Sequence, residues 1–257
     1  MISTAVFREK KEKARKIVMI TAYDSASAEA VHAASADIVL VGDSLGVTVL
    51  GYQTTREVTL ADMEHHLKAV VRGAPQAFIV CDMPFQTYDT PESAMRNAQT
   101  LIDTGCAAVK IEGCNVPVIK SLVNAGIPVM GHAGVLPQTA TEYKVRGKDS
   151  VEAARLREET RQIQDAGCFA IVLECMSAAL AKTITQELFI PTIGIGAGKE
   201  CDGQVLVFND LLGIFTKFKP KFVRHYKGLK KEMIDGCATF ACDVRSGAYP
   251  LNEESYR

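Results

Sequence analysis

The chain has 257 residues, of which 47% are hydrophobic and 23% are charged, and its formal net charge at pH 7 is -1. This balance is typical of a compact folded protein and excludes the low hydrophobicity and high charge of a disordered chain. A near-neutral chain also lacks the general positive field that nucleic acid or an anionic membrane surface would require.

The first predicted element is a short, solvated N-terminal helix in the basic segment 8–16, which also contains glutamates. Only four apolar residues, 17–20, follow before polar residues return, which is too short a core for a secretory signal. No apolar run reaches the roughly 18 residues that cross a bilayer. We therefore expect a cytoplasmic protein with no membrane partner.

Eight short apolar runs rich in β-branched residues follow one another along the chain. They are continuous rather than alternating, which is typical of parallel strands covered on both faces. The predicted strands are residues 17–23, 37–41, 78–81, 107–111, 128–131, 170–173, 191–195 and 204–208.

Helices are predicted between these strands. Thr90 and Pro91 place an N-cap residue before a proline at the first helical position. Asp149 and Glu152 have the spacing of a capping box. Strands alternating with helices over about 250 residues favour an α/β fold of the (β/α)8 TIM barrel type, with an open doubly wound sheet as the main alternative. We expect a single domain over residues 1–257 that ends in a C-terminal helical segment.

The eight cysteines include no Cys-x-x-Cys pair, and most lie within apolar stretches. At this chain length, a disulfide framework is not expected. The cysteines are predicted to be reduced and mostly buried, with no catalytic role.

Titratable residues come at or just after the ends of six consecutive predicted strands. In a parallel barrel, these carboxyl ends lie on one face, where the active sites of such barrels are found. Asp24 follows the first strand, but its position ahead of a helical pattern favours an N-cap. The candidate site residues at the other strand ends are Asp43, Ser44, Asp82, Lys110, Glu112, His132 and Glu174.

Three of these residues, Asp43, Asp82 and Glu112, are candidate metal ligands. Carboxylates without cysteine ligands suit a hard cation such as Mg2+, which also leaves coordination positions for substrate oxygens. Lys110 and Glu112 are two positions apart, so both side chains would point to one side of the strand. Lys110 would suit a ligand carboxylate or phosphate. His132 is consistent with either a structural histidine or a supporting residue of the site.

A weak internal repeat relates two of the strand ends. Residues 105–112 and 167–174 both read Gly-Cys-x-Ala, then three further residues, then Glu. The offset suits two βα units, so Glu112 and Glu174 are predicted at equivalent positions two strands apart.

Six strings, in order along the chain, resemble the ketopantoate hydroxymethyltransferase family, and the match runs from about residue 20 to residue 250. The strings are Ile-Thr-Ala-Tyr-Asp at 20–24, Val-Gly-Asp-Ser-Leu-Gly at 41–46, Val-Lys-Ile-Glu-Gly at 109–113, Gly-His-Ala-Gly at 131–134, Leu-Glu-Cys at 173–175 and Gly-Ile-Gly-Ala-Gly at 194–198 with Asp-Gly-Gln at 202–204.

The resemblance implies a Mg2+-dependent barrel enzyme of pantothenate biosynthesis. It would transfer a hydroxymethyl group from 5,10-methylenetetrahydrofolate to 3-methyl-2-oxobutanoate, giving ketopantoate. Glu174 would accept the proton. The family also implies a homo-oligomer, often a decamer. By matching motif, the metal-site residues would be Asp43, Asp82 and Glu112, and the residues contacting the keto acid would be Asp43, Ser44, Asp82 and Lys110.

The sequence departs from the family pattern at three places. Segment 137–144 is shorter than the usual loop, Ser177 replaces a common proline, and Asn209 stands where a His-Asp pair is usual. These departures concern the lid geometry and the folate contacts rather than the acidic residues.

Two other functions fit such a barrel. One is a Mg2+-dependent C–C lyase or mutase acting on another 2-oxo acid, and the other is a catalytically silent binding protein. No cysteine-containing catalytic loop of the lyase kind is evident in the sequence, and all the metal-site and base positions of the resemblance are filled.

Overall fold

The computed structural model describes residues 3–256, and within them eight parallel strands form a closed barrel in sequential order. Strand β8 pairs with β1, with Ile17 opposite Gly203, and closes the sheet. This confirms the (β/α)8 barrel and excludes the open sheet. The strands are β1 Ile17–Thr21, β2 Ile38–Val41, β3 Ile79–Asp82, β4 Ala108–Lys110, β5 Val129–Gly134, β6 Ala170–Glu174, β7 Thr192–Ile195 and β8 Gly203–Leu206.

A short helix precedes β1, and one long helix follows each of the first six strands. Segment 196–202, between β7 and β8, is a described loop without a helix. A π-helix, Gly46–Leu50, and a 3-10 helix, Thr55–Glu57, lie between β2 and α3. The α-helices are α1 Ala5–Glu12, α2 Ser25–Ala33, α3 Leu60–Gly73, α4 Pro91–Thr104, α5 Val116–Asn124, α6 Ser150–Asp165, α7 Ala178–Glu187, α8 Phe208–Leu211 and α9 Leu229–Ser246.

Side chains that cap the helices fix several of the boundaries. The Asp24 carboxylate accepts a hydrogen bond from the Ser27 backbone N–H at 2.7 Å, which confirms Asp24 as the N-cap of α2. Asp149 caps α6 as expected. Glu152 does not complete a capping box there, because its carboxylate accepts from the Gly147 backbone N–H at 2.6 Å.

The ends of β5 and β8 are among the strand ends that differ from the prediction. Strand β5 continues to Gly134, so His132 lies inside the strand rather than after it, because residues 130–134 pair with β6. Strand β8 ends at Leu206, and the chain then turns into α8, with the Phe208 N–H donating to the Thr21 hydroxyl at 2.9 Å.

The barrel interior is packed with apolar side chains, and α1 lies at its amino end. Phe7 of α1 is fully buried, and its ring centroid lies 4.8 Å from that of Phe78 and 5.9 Å from that of Phe169. Residues that alternate with the interior set face the surrounding helices, where they form a second, larger core. Both faces of most strands are therefore covered, which explains the continuous apolar runs in the sequence. The exceptions are β1 and β8, in which Val18 and Gln204 are exposed.

The chain divides after Phe208 into two compact units. The first contains the barrel with α1–α7, and the second contains α9 and a 3-10 helix at Asn252–Glu254. None of the described side chains of α9 is buried. Among the described helices, none combines the length and the apolarity that a membrane span requires. One domain over residues 1–257 stays a prediction.

The cysteines are all free thiols. Four of the eight are buried, two are partly buried, and Cys237 and Cys242 are exposed. Burial raises the pKa of the Cys81 thiol well above its ordinary value, which disfavours the reactive thiolate.

Candidate active site

Polar side chains take the last inward-facing positions of four neighbouring strands. Successive strand residues point to opposite faces, so a residue two positions beyond an interior residue also faces the interior. Each of these polar residues lies two positions beyond a buried apolar residue of the barrel interior. They are Asp82 after Val80, Lys110 after Ala108, His132 after Met130 and Glu174 after Val172.

The acidic group forms where β2, β3 and β4 end. The Asp43 backbone N–H donates to Asp82 Oδ2 at 3.1 Å, and Lys110 Nζ donates to Asp82 Oδ1 at 2.7 Å. All three residues and Glu112 are buried. Burial, followed by the charges of Asp82 and Glu112, raises the pKa of Asp43 to about 8. The structure thus brings the three predicted carboxylates together with Lys110, and they carry more negative charge than Lys110 alone offsets.

Ser44 lies beside this group at the end of β2. Its hydroxyl is 2.9 Å from the Tyr23 hydroxyl, which in turn accepts a hydrogen bond from Thr21 at 2.8 Å. These contacts fix the Ser44 side chain at the same end of the barrel as the neighbouring Asp43.

His132 lies between two glutamates. Its Nδ1 is 3.5 Å from Glu112 Oε1 and its Nε2 is 3.2 Å from Glu174 Oε2, although neither approach has hydrogen-bond geometry. Burial and Lys110 lower the pKa of His132, but the two glutamates outweigh them and raise it to about 9. The imidazole of His132 therefore lies between Glu112 and Glu174. The Glu174 side chain is 16% exposed, compared with 2% for His132.

The backbone around Glu174 is tightly constrained. Gly134 of β5 pairs with Glu174 and has a φ of +103°, and a Cβ at this position would lie 2.2 Å from the Glu174 carbonyl oxygen. Cys175, the next residue after Glu174, has a φ of +47°, a region that non-glycine residues rarely occupy. This is the strand end that the internal repeat relates to Glu112, and the two glutamates do lie two strands apart.

Sequence reasoning missed Gln138, which lies in the loop between β5 and α6. Its side-chain amide donates to Asp43 Oδ2 at 2.8 Å, and its backbone N–H donates to Glu112 Oε2 at 3.0 Å. Tyr88, also missed, donates its hydroxyl hydrogen to Gln138 Oε1. The one available signal was position, because segment 137–144 follows β5 at the same end of the barrel as the acidic group.

Ser177 has a local structural role. It is the N-cap residue of α7, and its hydroxyl donates to the Gly147 carbonyl at 2.9 Å.

The chemistry of the acidic group suits a hard divalent cation. Asp43, Asp82 and Glu112 offer only oxygen donors, and a carboxylate oxygen that accepts one hydrogen bond keeps a second lone pair. Within residues 3–256, no three or more His, Cys, Asp or Glu residues are placed so that together they could hold a metal ion. Mg2+ keeps several waters and uses few protein carboxylates. The donor types therefore suit such an ion, with at most two of these carboxylates as direct ligands in this arrangement and water or substrate oxygens in the remaining positions.

A cavity of about 240 Å3 opens between the end of β5 and α6. Its lining includes His132, Thr139, Arg146 and Arg155, but none of the three acidic residues.

Comparison with known proteins identifies the family. The family model described as ketopantoate hydroxymethyltransferase matches residues 1–252. A 3-methyl-2-oxobutanoate hydroxymethyltransferase of Desulfotalea psychrophila is 50% identical over 253 residues, which cover 96% of this chain and 91% of the relative. A protein of the same name from Caldicellulosiruptor saccharolyticus is 46% identical over 261 residues, which cover 99% of both chains.

Solved structures share the fold at much lower identity. A 2,3-dimethylmalate lyase of the PEP mutase/isocitrate lyase superfamily is 18% identical, with a TM-score of 0.63, and the match covers 100% of this chain and 93% of that one. A phosphonopyruvate hydrolase in complex with oxalate and Mg2+ is 10% identical, with a TM-score of 0.65 and coverage of 99% and 93%. These two likenesses show the barrel fold alone. The family model and the close relatives show more: the chain belongs to the ketopantoate hydroxymethyltransferase family of one-carbon transferases.

Proposed function

We propose that this protein transfers a hydroxymethyl group from 5,10-methylenetetrahydrofolate to 3-methyl-2-oxobutanoate, giving 2-dehydropantoate (ketopantoate), the first step of pantothenate biosynthesis, with Mg2+ as its metal. One observation carries the proposal. A buried group of Asp43, Asp82 and Lys110 lies beside Glu112, and His132 separates this group from the more exposed Glu174.

Asp43, Asp82 and Glu112 would hold the metal, because they supply the oxygen donors at this end of the barrel. Bound Mg2+ would act as a Lewis acid that polarises the keto group of the substrate. Lys110 would attract the substrate carboxylate, since its ammonium group is buried and Asp82, Glu112 and Asp43 raise its pKa above the ordinary value. Ser44 would donate a hydrogen bond to the same substrate.

Glu174 would be the general base. A base needs a lone pair that is free to accept the proton, so it cannot be a ligand of the cation, and Glu174 comes from β6, away from the acidic group. Its Oε2 lies 3.2 Å from His132 Nε2, a contact that limits the movement of the side chain. Glu174 would take the proton from C3 of the keto acid. The carbon left with the electron pair would then attack the methylene carbon of the donor as one of its two C–N bonds breaks. Water would replace the second C–N bond and supply the hydroxyl oxygen, while the proton taken from C3 and the remaining hydrogen of the water pass to the two nitrogens of the departing tetrahydrofolate.

The Glu174→Gln variant tests this function. It keeps the shape of the side chain and removes the base, so we expect the exchange of C3 deuterium and the formation of ketopantoate to fall about 10²–10⁴-fold. Both are measured in the holoenzyme, the first by NMR and the second by a coupled assay. Deuterium exchange at the wild-type rate would exclude Glu174 as the base.

Two controls separate this function from the alternatives. Chelation of divalent metal should stop turnover, and readdition of Mg2+ should restore it. Consumption of a 2-oxo acid without the folate donor would instead favour the lyase or mutase alternative, and absence of any product would favour a silent binding protein.

We also propose that the protein assembles as a homo-oligomer, specifically a decamer, and that it is located in the cytoplasm. Light scattering on the purified full chain tests the assembly, and a monomer at working concentrations would contradict it.

A further inference from the structure

Gln138 has all its side-chain polar atoms bonded inside the protein. It is 2% exposed. Its amide nitrogen donates to Asp43 Oδ2 at 2.8 Å and to the Met83 carbonyl at 2.9 Å, and its amide oxygen accepts from the Tyr88 hydroxyl. Both partners of the nitrogen are acceptors and the partner of the oxygen is a donor, so only one orientation of the amide satisfies the three contacts.

The same residue contacts a second carboxylate through its backbone. The Gln138 N–H donates to Glu112 Oε2 at 3.0 Å, while the Glu112 N–H donates to the Tyr88 hydroxyl at 3.3 Å. Asp43 follows β2 and Glu112 follows β4, so Gln138 connects carboxylates that come from separate strands and repel each other. A neutral amide orients both without cancelling the negative charge that a cation would need.

The loop that carries Gln138 is itself held in place. Arg56 Nε donates to the Gln138 carbonyl at 2.8 Å, and Arg56 Nη2 donates to the Ala140 carbonyl at 3.3 Å. The Ala140 N–H donates to the Leu136 carbonyl at 2.7 Å, which closes a turn around Gln138. The position of the amide is therefore set by segments that follow β2, β3 and β5.

We propose that Gln138 is a positioning residue of the metal site, which holds Asp43 and Glu112 in the arrangement that binds the divalent cation. This inference rests on the proposed function, because it takes Mg2+ as the metal of the acidic group. It adds that the β5–α6 loop is part of the metal site and not only a cover over it.

The test replaces Gln138 by Met, which keeps the length of the side chain and removes the three amide contacts but leaves the hydrogen bond from the backbone N–H to Glu112. Affinity for Mg2+ is measured by calorimetry on the full chain without substrate. Loss of a group that orients metal ligands typically weakens metal binding by roughly 10–100-fold, and we expect this range for Q138M. Turnover of Q138M should recover at high Mg2+ concentration. Relative to wild type, its kcat at saturating Mg2+ should therefore be higher than its activity at low Mg2+.

A matched control is Gln164→Met. Gln164 is also buried, and its amide oxygen accepts from the Phe189 backbone N–H at 2.7 Å and, at 3.4 Å, from Ile190. None of its described hydrogen bonds involves the acidic group, so Q164M should keep the wild-type affinity for Mg2+. Its thermal unfolding shows how much stability is lost when a buried amide is removed.

A second variant covers the case in which Q138M does not fold. Tyr88→Phe removes the hydroxyl that holds the Gln138 oxygen and accepts from the Glu112 N–H, and we expect a smaller, few-fold loss of Mg2+ affinity. Unchanged Mg2+ affinity in folded Q138M, or in Y88F if Q138M is unfolded, overturns the inference, whatever the loss of stability. Absence of Mg2+ binding by the wild-type chain is a different result, which overturns the proposed metal and this inference with it.

Discussion

At the scale of single residues, the site depends on side chains that continue the inward-facing positions of the strands. Asp82, Lys110, His132 and Glu174 follow apolar interior residues by two positions. The sequence therefore predicted their common face from strand ends and the two-residue period alone. It could not predict the contact of His132 with both Glu112 and Glu174, because that contact depends on the spacing of three strands in the barrel.

Gly134 offers a test of how closely the backbone around Glu174 is constrained. We expect Gly134→Ala to destabilise the protein and to reduce kcat, because the new methyl group would lie 2.2 Å from the Glu174 carbonyl oxygen and displace Glu174, the proposed base. Urea denaturation and steady-state kinetics measure the two effects.

Gly126→Ala is the matched control for this variant. Gly126 also has a positive φ, +81°, but an added Cβ there would have no neighbour within 4 Å. Only the cost of the left-handed backbone remains, about 1–2 kcal/mol. Equal losses of stability and unchanged kcat in both variants would show that the close approach of Gly134 to Glu174 does not exclude a methyl group at position 134.

Gln138 shows the limit of prediction from residues. Nothing in the local sequence of segment 137–144 marks this glutamine as different from an exposed loop residue. Its partners Asp43 and Tyr88 lie far away in the chain, on the segments after β2 and β3. Such a contact becomes visible only once the loops are placed together at the barrel end.

At the scale of elements, the strands were predictable because both of their faces are covered by apolar neighbours. All eight predicted runs contain the observed strands or overlap them. The end of β5 was wrong because residues 132–134 include a histidine and a glycine, and the pairing with β6 that keeps them extended is a tertiary contact. The helix starts at Asp24, Thr90 and Asp149 were predictable because capping is local.

Helix α1 provides a test at this scale. Phe7→Ala should lower the free energy of unfolding by about 3–5 kcal/mol, the usual cost of removing a fully buried aromatic ring. The activity of the protein that remains folded should be unchanged, since Phe7 packs on Phe78 and Phe169 near the amino ends of their strands. Chemical denaturation and kcat/KM give the two values.

Phe218→Ala is the control, because the Phe218 side chain is 69% exposed and surface changes usually stay within about 0.5 kcal/mol. A Phe7→Ala variant as stable as this control would show that α1 does not contribute to the barrel core.

At the scale of the whole molecule, the sequence predicted the closed barrel from the count and spacing of its strands. It did not predict that the chain divides after Phe208, because α9 has the same kind of helical pattern as the helices around the barrel. Apolar residues at helical spacing indicate that one face of the helix will be buried, but they do not identify the surface that buries it.

The different depths of the site residues have a kinetic consequence. Asp43, Asp82 and Lys110 are nearly inaccessible at 3–6% exposure, whereas the Glu174 side chain is 16% exposed, and α1 lies at the opposite end of the barrel. If both reactants of the proposed transfer approach from the strand carboxyl ends, the keto acid would have to arrive before the folate donor, and tetrahydrofolate would have to leave before ketopantoate. We expect an ordered sequential reaction in which ketopantoate competes with 3-methyl-2-oxobutanoate, as product inhibition would show. Competition between ketopantoate and the folate donor would instead mean that the two reactants enter independently.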